Sequence, residues 1–321
     1  MYFETLRKGV IFMKKFIILA DVTCDLSKEI REYFGVKDYI KGYVSFSDGR
    51  DLKTSLDWDS ISREDFYKAL SDKKMKVTTA PASPEEYYET FKAYAADGYD
   101  ILSMSISSKI SSTYEVAASA AERVRAEYPD CDIYCFDSYR MAGSLGLLTM
   151  YAHEKQNEGK TMREIAEYLE ATKLKVHQMG PIDDLMFVAR RGRMSTGKAI
   201  LGSFAGVKPM GDCNREGYVS VIAKVKGIKK ALSATAEYIK LSAVNIEDQY
   251  VLVSHSNREE YAMTLKAMIE ELGPKKVFVS DIFDASGTNI GPGMVGAYFI
   301  GEEVSENSEK EKEIIQKVLG V

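Results

Sequence analysis

Ser107-Ser108-Lys109-Ile110-Ser111-Ser112-Thr113-Tyr114 follows an apolar run, Tyr99 to Ile106, and precedes the Ala- and Glu-rich segment Glu115 to Tyr128. The run has the composition of a buried strand ending at Ser107, and the segment after the cluster has that of a helix. The spacing therefore predicts a strand-to-helix turn carrying five Ser or Thr hydroxyls and a tyrosine. In parallel α/β sheets ligands collect at the carboxyl ends of strands. A helix N-terminus beside hydroxyl donors favours an anionic group. One serine in such a place needs no role beyond capping. A cluster this dense points to anion recognition, with capping as the alternative.

Three further turns have the same character. Thr78-Thr79-Ala80-Pro81-Ala82-Ser83-Pro84 precedes the acidic helix start Glu85-Glu86-Tyr87, Asp21-Val22-Thr23-Cys24-Asp25-Leu26 follows the apolar Phe16–Ala20, and Asp137-Ser138 follows Ile133–Phe136. Each lies at a strand's carboxyl end if the sheet is parallel. Between Met13 and Lys160 strand-like runs (Phe16–Ala20, Tyr39–Phe46, Ile101–Ile106, Asp132–Phe136) alternate with helix-like ones (Ser27–Phe34, Ser62–Leu70, Pro84–Ala96, Glu115–Tyr128, Ala142–Gln156). That rhythm predicts an α/β/α domain with a parallel sheet over residues 13–160. Ala142–Gln156 is rich in Leu, Met and Gly and reads as core, or as the wall of an apolar tunnel. Gly159-Lys160 marks a boundary. Beyond it, helices at Thr161–Leu174 and Gly227–Ile239 and strands at Val176–Met179, Val219–Val225, Tyr250–His255 and Val277–Phe283 predict a two-layer α/β domain with a mixed sheet over 161–321. Arg215-Glu216-Gly217-Tyr218 reads as a hairpin turn, and the acidic stretch Glu302–Glu313 as a solvated end with a last helix. Residues 1–12 read as an extension upstream of the first strand.

The chain has 321 residues, 45% of them apolar, and a formal net charge of -5. The length suggests two domains, and the charge argues against general nucleic-acid binding. No apolar run approaches a bilayer span, and the short run after Lys14-Lys15 ends at Asp21, so the sequence reads as cytoplasmic. Cys24, Cys131, Cys135 and Cys213 form no paired metal-binding spacing, and His153, His177 and His255 are scattered. No metal or cofactor is expected. Gly192 to Ala199 approaches a phosphate-binding loop, but Ala199 stands where the magnesium-binding hydroxyl belongs. A serine nucleophile at Ser107 or Ser108, in a lipid hydrolase or transferase, would need a base and has no GxSxG frame.

Taken in order, these motifs resemble the DegV family of bacterial lipid-binding proteins. The resemblance runs from Met13 through Asp183-Asp184-Leu185, Arg191-Gly192-Arg193-Met194-Ser195, Val207-Lys208-Pro209 and Gly287-Thr288-Asn289-Ile290-Gly291-Pro292-Gly293. It implies a two-domain fold that binds a long-chain fatty acid between the domains and has no catalytic residues of its own. Some members present the carboxylate to a separate kinase subunit, which forms an acyl-phosphate for phospholipid synthesis; the alternative is a general fatty-acid carrier. Carried over by motif, Thr78 or Thr79, Ser107 or Ser108, and Asn289 hold the carboxylate. Arg193, with Arg190, Arg191 and Lys198, forms a docking surface for the kinase partner or, transiently, a membrane. The chain departs from the family pattern at Val22, Arg191, Ser112, Lys226 and Asn289, where many members have Ser, Gly, Gly, Arg and His. An amide at 289 can hydrogen-bond but carries neither proton nor charge.

Overall fold

The structure is a computed structural model and describes residues 14–194 and 206–321. The upstream extension, Ser195 and Lys198 lie outside the described residues.

The first half runs β1 (Phe16–Asp21), α1 (Lys28–Phe34), β2 (Tyr39–Ile40), β3 (Tyr43–Phe46), β4 (Asp51–Lys53), α2 (Arg63–Ser71), β5 (Val77–Ala80), α3 (Pro84–Ala96), β6 (Asp100–Ser105), α4 (Thr113–Glu127), β7 (Ile133–Asp137) and α5 (Gly143–Asn157). Strands β2-β1-β6-β7 form a wholly parallel sheet. Alternate residues of β1 divide between its faces. Ile17 and Leu19 pack with α3 and α4, while Ile18 and Ala20 pack with α1 and α5. A strand covered on both faces reads as a continuous apolar run, as β1 does up to Asp21.

The expected single strand Tyr39–Phe46 is instead two strands in different sheets. Gly42 breaks it: its N–H donates to Thr54 Oγ1 at 2.7 Å, and a Cβ there would stand 2.6 Å from the Ala80 carbonyl. Beyond the break β3 pairs antiparallel with β4 and β5. Thr78 and Thr79 therefore lie inside an antiparallel strand, not on a turn at the end of a parallel one.

The second half adds α6 (Met162–Thr172), β8 (Val176–Met179), α7 (Leu185–Arg190), β9 (Val207–Cys213), β10 (Val219–Lys226), α8 (Ile228–Ser242), β11 (Tyr250–His255), α9 (Glu259–Glu270), β12 (Lys276–Asp281), α10 (Asp284–Ile290), β13 (Val295–Ile300) and α11 (Glu309–Leu319). The sheet β12-β11-β13-β8 is mixed, parallel at β11–β12 and antiparallel elsewhere. Helices α8, α9 and α11 cover one face. Strands β9 and β10 make the hairpin expected at Arg215–Tyr218, closed by Asn214 N–H on the Tyr218 carbonyl at 2.9 Å.

Helix α5 joins the halves. Residues 143–153 are all buried, one side against α1 and the turn after β1, the other against β8, β11 and β13. Its glycines permit the contact. A Cβ on Gly143 would stand 2.2 Å from the Tyr298 ring, and one on Gly146 2.3 Å from the Cys24 carbonyl.

Candidate functional site

A cavity of about 220 Å³ lies between the halves. The first half contributes the turn after β1, the end of β5, the start of α4 and Met141-Ala142 ahead of α5. The second contributes Val188 of α7, Arg193, Val219 at the start of β10, and one face of α10. Ile106, Ile110, Met141, Val188, Val219 and Ile290 make its body apolar, and hydroxyls from both halves interrupt it. The helix residues of α5 do not line it; only the two residues before them do.

Asp21 braces one wall. Its buried carboxylate accepts the N–H of Ile106 at 2.7 Å and that of Thr23 at 2.8 Å, tying β1 to the end of β6. Burial raises its pKa, and the hydrogen bonds from Thr23 and Ile106 oppose the rise.

The hydroxyl motifs divide sharply. On β5 the two-residue alternation turns Thr79 into the cavity and leaves Thr78 exposed on the other face. In the Ser107–Tyr114 stretch the first two serines stay outside the cavity lining. Ser107 is fully buried beneath the β9–β10 hairpin, where its Oγ accepts the Lys109 N–H at 3.3 Å and crowds Gly217. Ser108 donates its N–H to Asp137 Oδ1 at 3.1 Å. Ser138 likewise turns inward and exchanges hydrogen bonds with the Arg140 backbone.

The cavity is lined instead by Ser111, Ser112 and Thr113, with Ser111 Oγ 2.7 Å from Thr113 Oγ1, and by Ser286 of α10. The sequence reading marked the whole Ser107–Tyr114 cluster for anion recognition, but the motif carry-over singled out Ser107 and Ser108, and Ser286 was not singled out at all. The helix begins at Thr113, so its first turn and the residues before it face the cavity.

Asn289 also lines the cavity, and its Nδ2 donates to Thr79 Oγ1 at 3.2 Å and to the Ala285 carbonyl at 3.3 Å. The basic residues take separate roles. Arg193 lines the cavity and donates to the Arg191 carbonyl. Arg191 is half-buried, stacks on Phe187 and donates to the Val77 carbonyl of β5 at 2.6 Å. Burial lowers its pKa, with Arg193 and Arg190 adding to the effect. It clasps the two halves. Arg190 is exposed and pairs with Asp184 at 3.5 Å. Asp183 is held by Lys208 and, at 3.0 Å, by Arg258.

Gly192 follows a helix, α7, whereas a phosphate-binding loop follows a strand. Among the described residues no histidine lines the cavity and no cluster of His, Cys, Asp and Glu is arranged to hold a metal. No helix among them is long and apolar enough to cross a membrane.

The chain is similar to known proteins over most of its length. A DegV domain-containing protein of Clostridium perfringens is 31% identical over 291 residues, which cover 90% of this chain and 99% of the relative. The crystal structure of DegV from Bacillus subtilis, a fatty acid binding protein, is 25% identical with a TM-score of 0.76, covering 90% of this chain and all of that one. A DegV lipid binding protein of Thermotoga maritima superposes with a TM-score of 0.78 at 23% identity, over 90% of this chain and 99% of that one. The profile described as "Uncharacterised protein, DegV family" matches residues 15–302. From the parallel sheet to the last strand, this chain belongs to the DegV family.

Proposed function

We propose that the chain binds one long-chain fatty acid in the cavity between its halves and presents the carboxylate to a separate kinase for acyl-phosphate formation. The observation that carries the reading is an apolar cavity between the halves whose wall carries hydroxyls from both of them, in a chain whose Bacillus subtilis relative is a fatty acid binding protein. Each buried methylene of an acyl chain contributes roughly 0.8 kcal/mol, so a full chain gains on the order of 10 kcal/mol gross. The apolar wall supplies the affinity, and the hydroxyls orient the head. Thr79 and Ser111 are the carboxylate donors in this reading, and Arg193 lines the same cavity. Neutral donors hold a carboxylate without a second deeply buried charge, and leave one oxygen free to attack a phosphoryl group brought from outside. Organic extraction of the folded protein purified from bacteria should release a long-chain acid at close to one per chain. Repeated preparations that carry no lipid and take up none from solution would overturn the reading.

A lipid ligand also needs a route to a bilayer. Met186 of α7 is 40% exposed and lies two residues from Val188, which lines the cavity; Arg190 is exposed on the same short helix. This face is proposed to touch an anionic membrane during exchange. A basic residue near anionic lipid contributes about 1 kcal/mol. Arg190→Glu should therefore slow transfer of fatty acid to anionic vesicles roughly fivefold or more, with little effect on neutral vesicles. Equal slowing on both vesicle types would show that Arg190 acts through the fold.

A further inference from the structure

Among the described residues that line the cavity, one hydrogen bond joins side chains of the two halves, and its polarity is fixed. Asn289 Nδ2 is 3.3 Å from the main-chain carbonyl of Ala285, one turn back in α10, and 3.2 Å from Thr79 Oγ1 on β5. A carbonyl oxygen can only accept, so Ala285 decides which end of the amide is nitrogen. One amide hydrogen goes to that carbonyl and the other points at Thr79, whose oxygen accepts it. A hydroxyl that accepts still has its own hydrogen to donate. Among the described residues no acceptor takes it, and Thr79 lines the cavity.

We infer that Asn289 is a positioning residue that turns the Thr79 hydroxyl into a dedicated donor toward the cavity, selecting ligands whose head group offers an acceptor. The inference rests on the fatty-acid reading and deepens it. Both hydrogens of the Asn289 amide are engaged, so the amide reaches the carboxylate through Thr79 instead of donating to it directly. Thr79 and Asn289 come from opposite halves, so the donor is oriented only when the halves are closed. The amide does not titrate, so this orientation persists across the pH range in which histidine would gain or lose charge.

A double-mutant cycle tests it, with palmitate affinity as the readout for the parent, Thr79→Val, Asn289→Leu and the double variant. Losing a hydrogen bond to a charged group weakens binding roughly 10- to 100-fold, the expected effect of Thr79→Val. Asn289→Leu should weaken binding several-fold, and the double variant should bind within about twofold of Thr79→Val alone, because the second change removes only the orientation of a group already gone. Thr78→Val, on the outward face, should bind as the parent does. Penalties that multiply in the double variant would show that Asn289 acts independently of Thr79 and overturn the inference. A parent that binds no palmitate would overturn the fatty-acid reading itself. If Asn289→Leu does not fold, Asn289→Ala completes the same cycle.

Discussion

Gly146→Ala should destabilise the protein by about 3 kcal/mol, lowering Tm by about 5 °C. Helix propensity alone predicts the opposite, because alanine is favoured over glycine in a helix interior by about 1 kcal/mol. Propensity loses here because the new methyl would stand 2.3 Å from the Cys24 carbonyl and 3.0 Å from Leu26. The carbonyl is main chain in the turn after β1 and cannot swing aside. Relief would require α5 to move away from the turn after β1, driving its other side into Leu252 and Tyr298. Thermal unfolding followed by circular dichroism would check it. A Tm equal to or above the parental value would mean that α5 is not wedged between the two sheets.

The second large effect is a pH dependence centred on Asp284. This residue opens α10 and is 1% exposed; its carboxylate accepts the Ser55 N–H at 3.3 Å from the other half and the Ala285 N–H at 2.8 Å. Burial pushes its pKa up to about 7, while the main-chain donors and the more distant Lys41 oppose the rise. Asp25, also buried and with Oδ2 unpartnered, has its pKa raised mainly by burial, with the Asp284 and Asp21 charges adding to the rise. Burial raises the pKa of Tyr67, the charges of Asp25, Asp281 and Asp284 add to the rise, and Arg63 opposes it.

The folded pKa of Asp284 lies above its ordinary value of 3.8, so its bound proton favours the folded state fully below about pH 4, and that stability is lost as pH rises toward 7. Asp284→Asn keeps the shape and an acceptor oxygen but never ionises. Relative to the parent, the asparagine variant should therefore gain about 2–3 kcal/mol between pH 5 and pH 8. Asp25 is present in both proteins, so the larger part of its shift, which comes from burial, is common to them, and only the smaller part due to the Asp284 charge differs. Urea unfolding at the two pH values measures the difference, and a difference that does not change with pH would sink the assignment.

The parts of the fold legible in the sequence are those whose physics is local. Strands β1 and β6 are buried on both faces; β1 reads as an unbroken apolar run up to Asp21, and β6 as an apolar run broken within only by Ser103. Helices α3 and α6 carry capping boxes, Ser83 with Glu86 and Thr161 with Glu164, that mark their starts in the sequence. The strands that escaped reading lack such signals. β4 is three residues with two exposed, β5 is half hydroxyl, and β9 contains Pro209, Gly211 and Asp212. Helix α10 hides in a Gly-Thr-Asn stretch that reads as a loop.

The candidate site follows the same division. The four hydroxyl turns stood out, but which hydroxyls face the cavity depends on pairing register. Thr79 rather than Thr78 is set by β5 lying opposite Val44 of β3. The partnership of Thr79 with Asn289, 210 residues away, follows from the docking of the halves, which no sequence window contains.

The position of α5 has a consequence for the order in which the chain is made. The helix is complete at Asn157, yet the sheet that covers its second face needs β13 as an inner strand between β11 and β8. That strand ends at Ile300, about 140 residues later. At ribosomal rates of roughly 5–20 residues per second, the apolar side of α5 waits on the order of ten seconds for its cover. Through that interval the nascent amino-terminal half carries an open greasy surface, so the stage of synthesis at which this protein is most exposed to aggregation and chaperone capture falls between the emergence of α5 and that of β13.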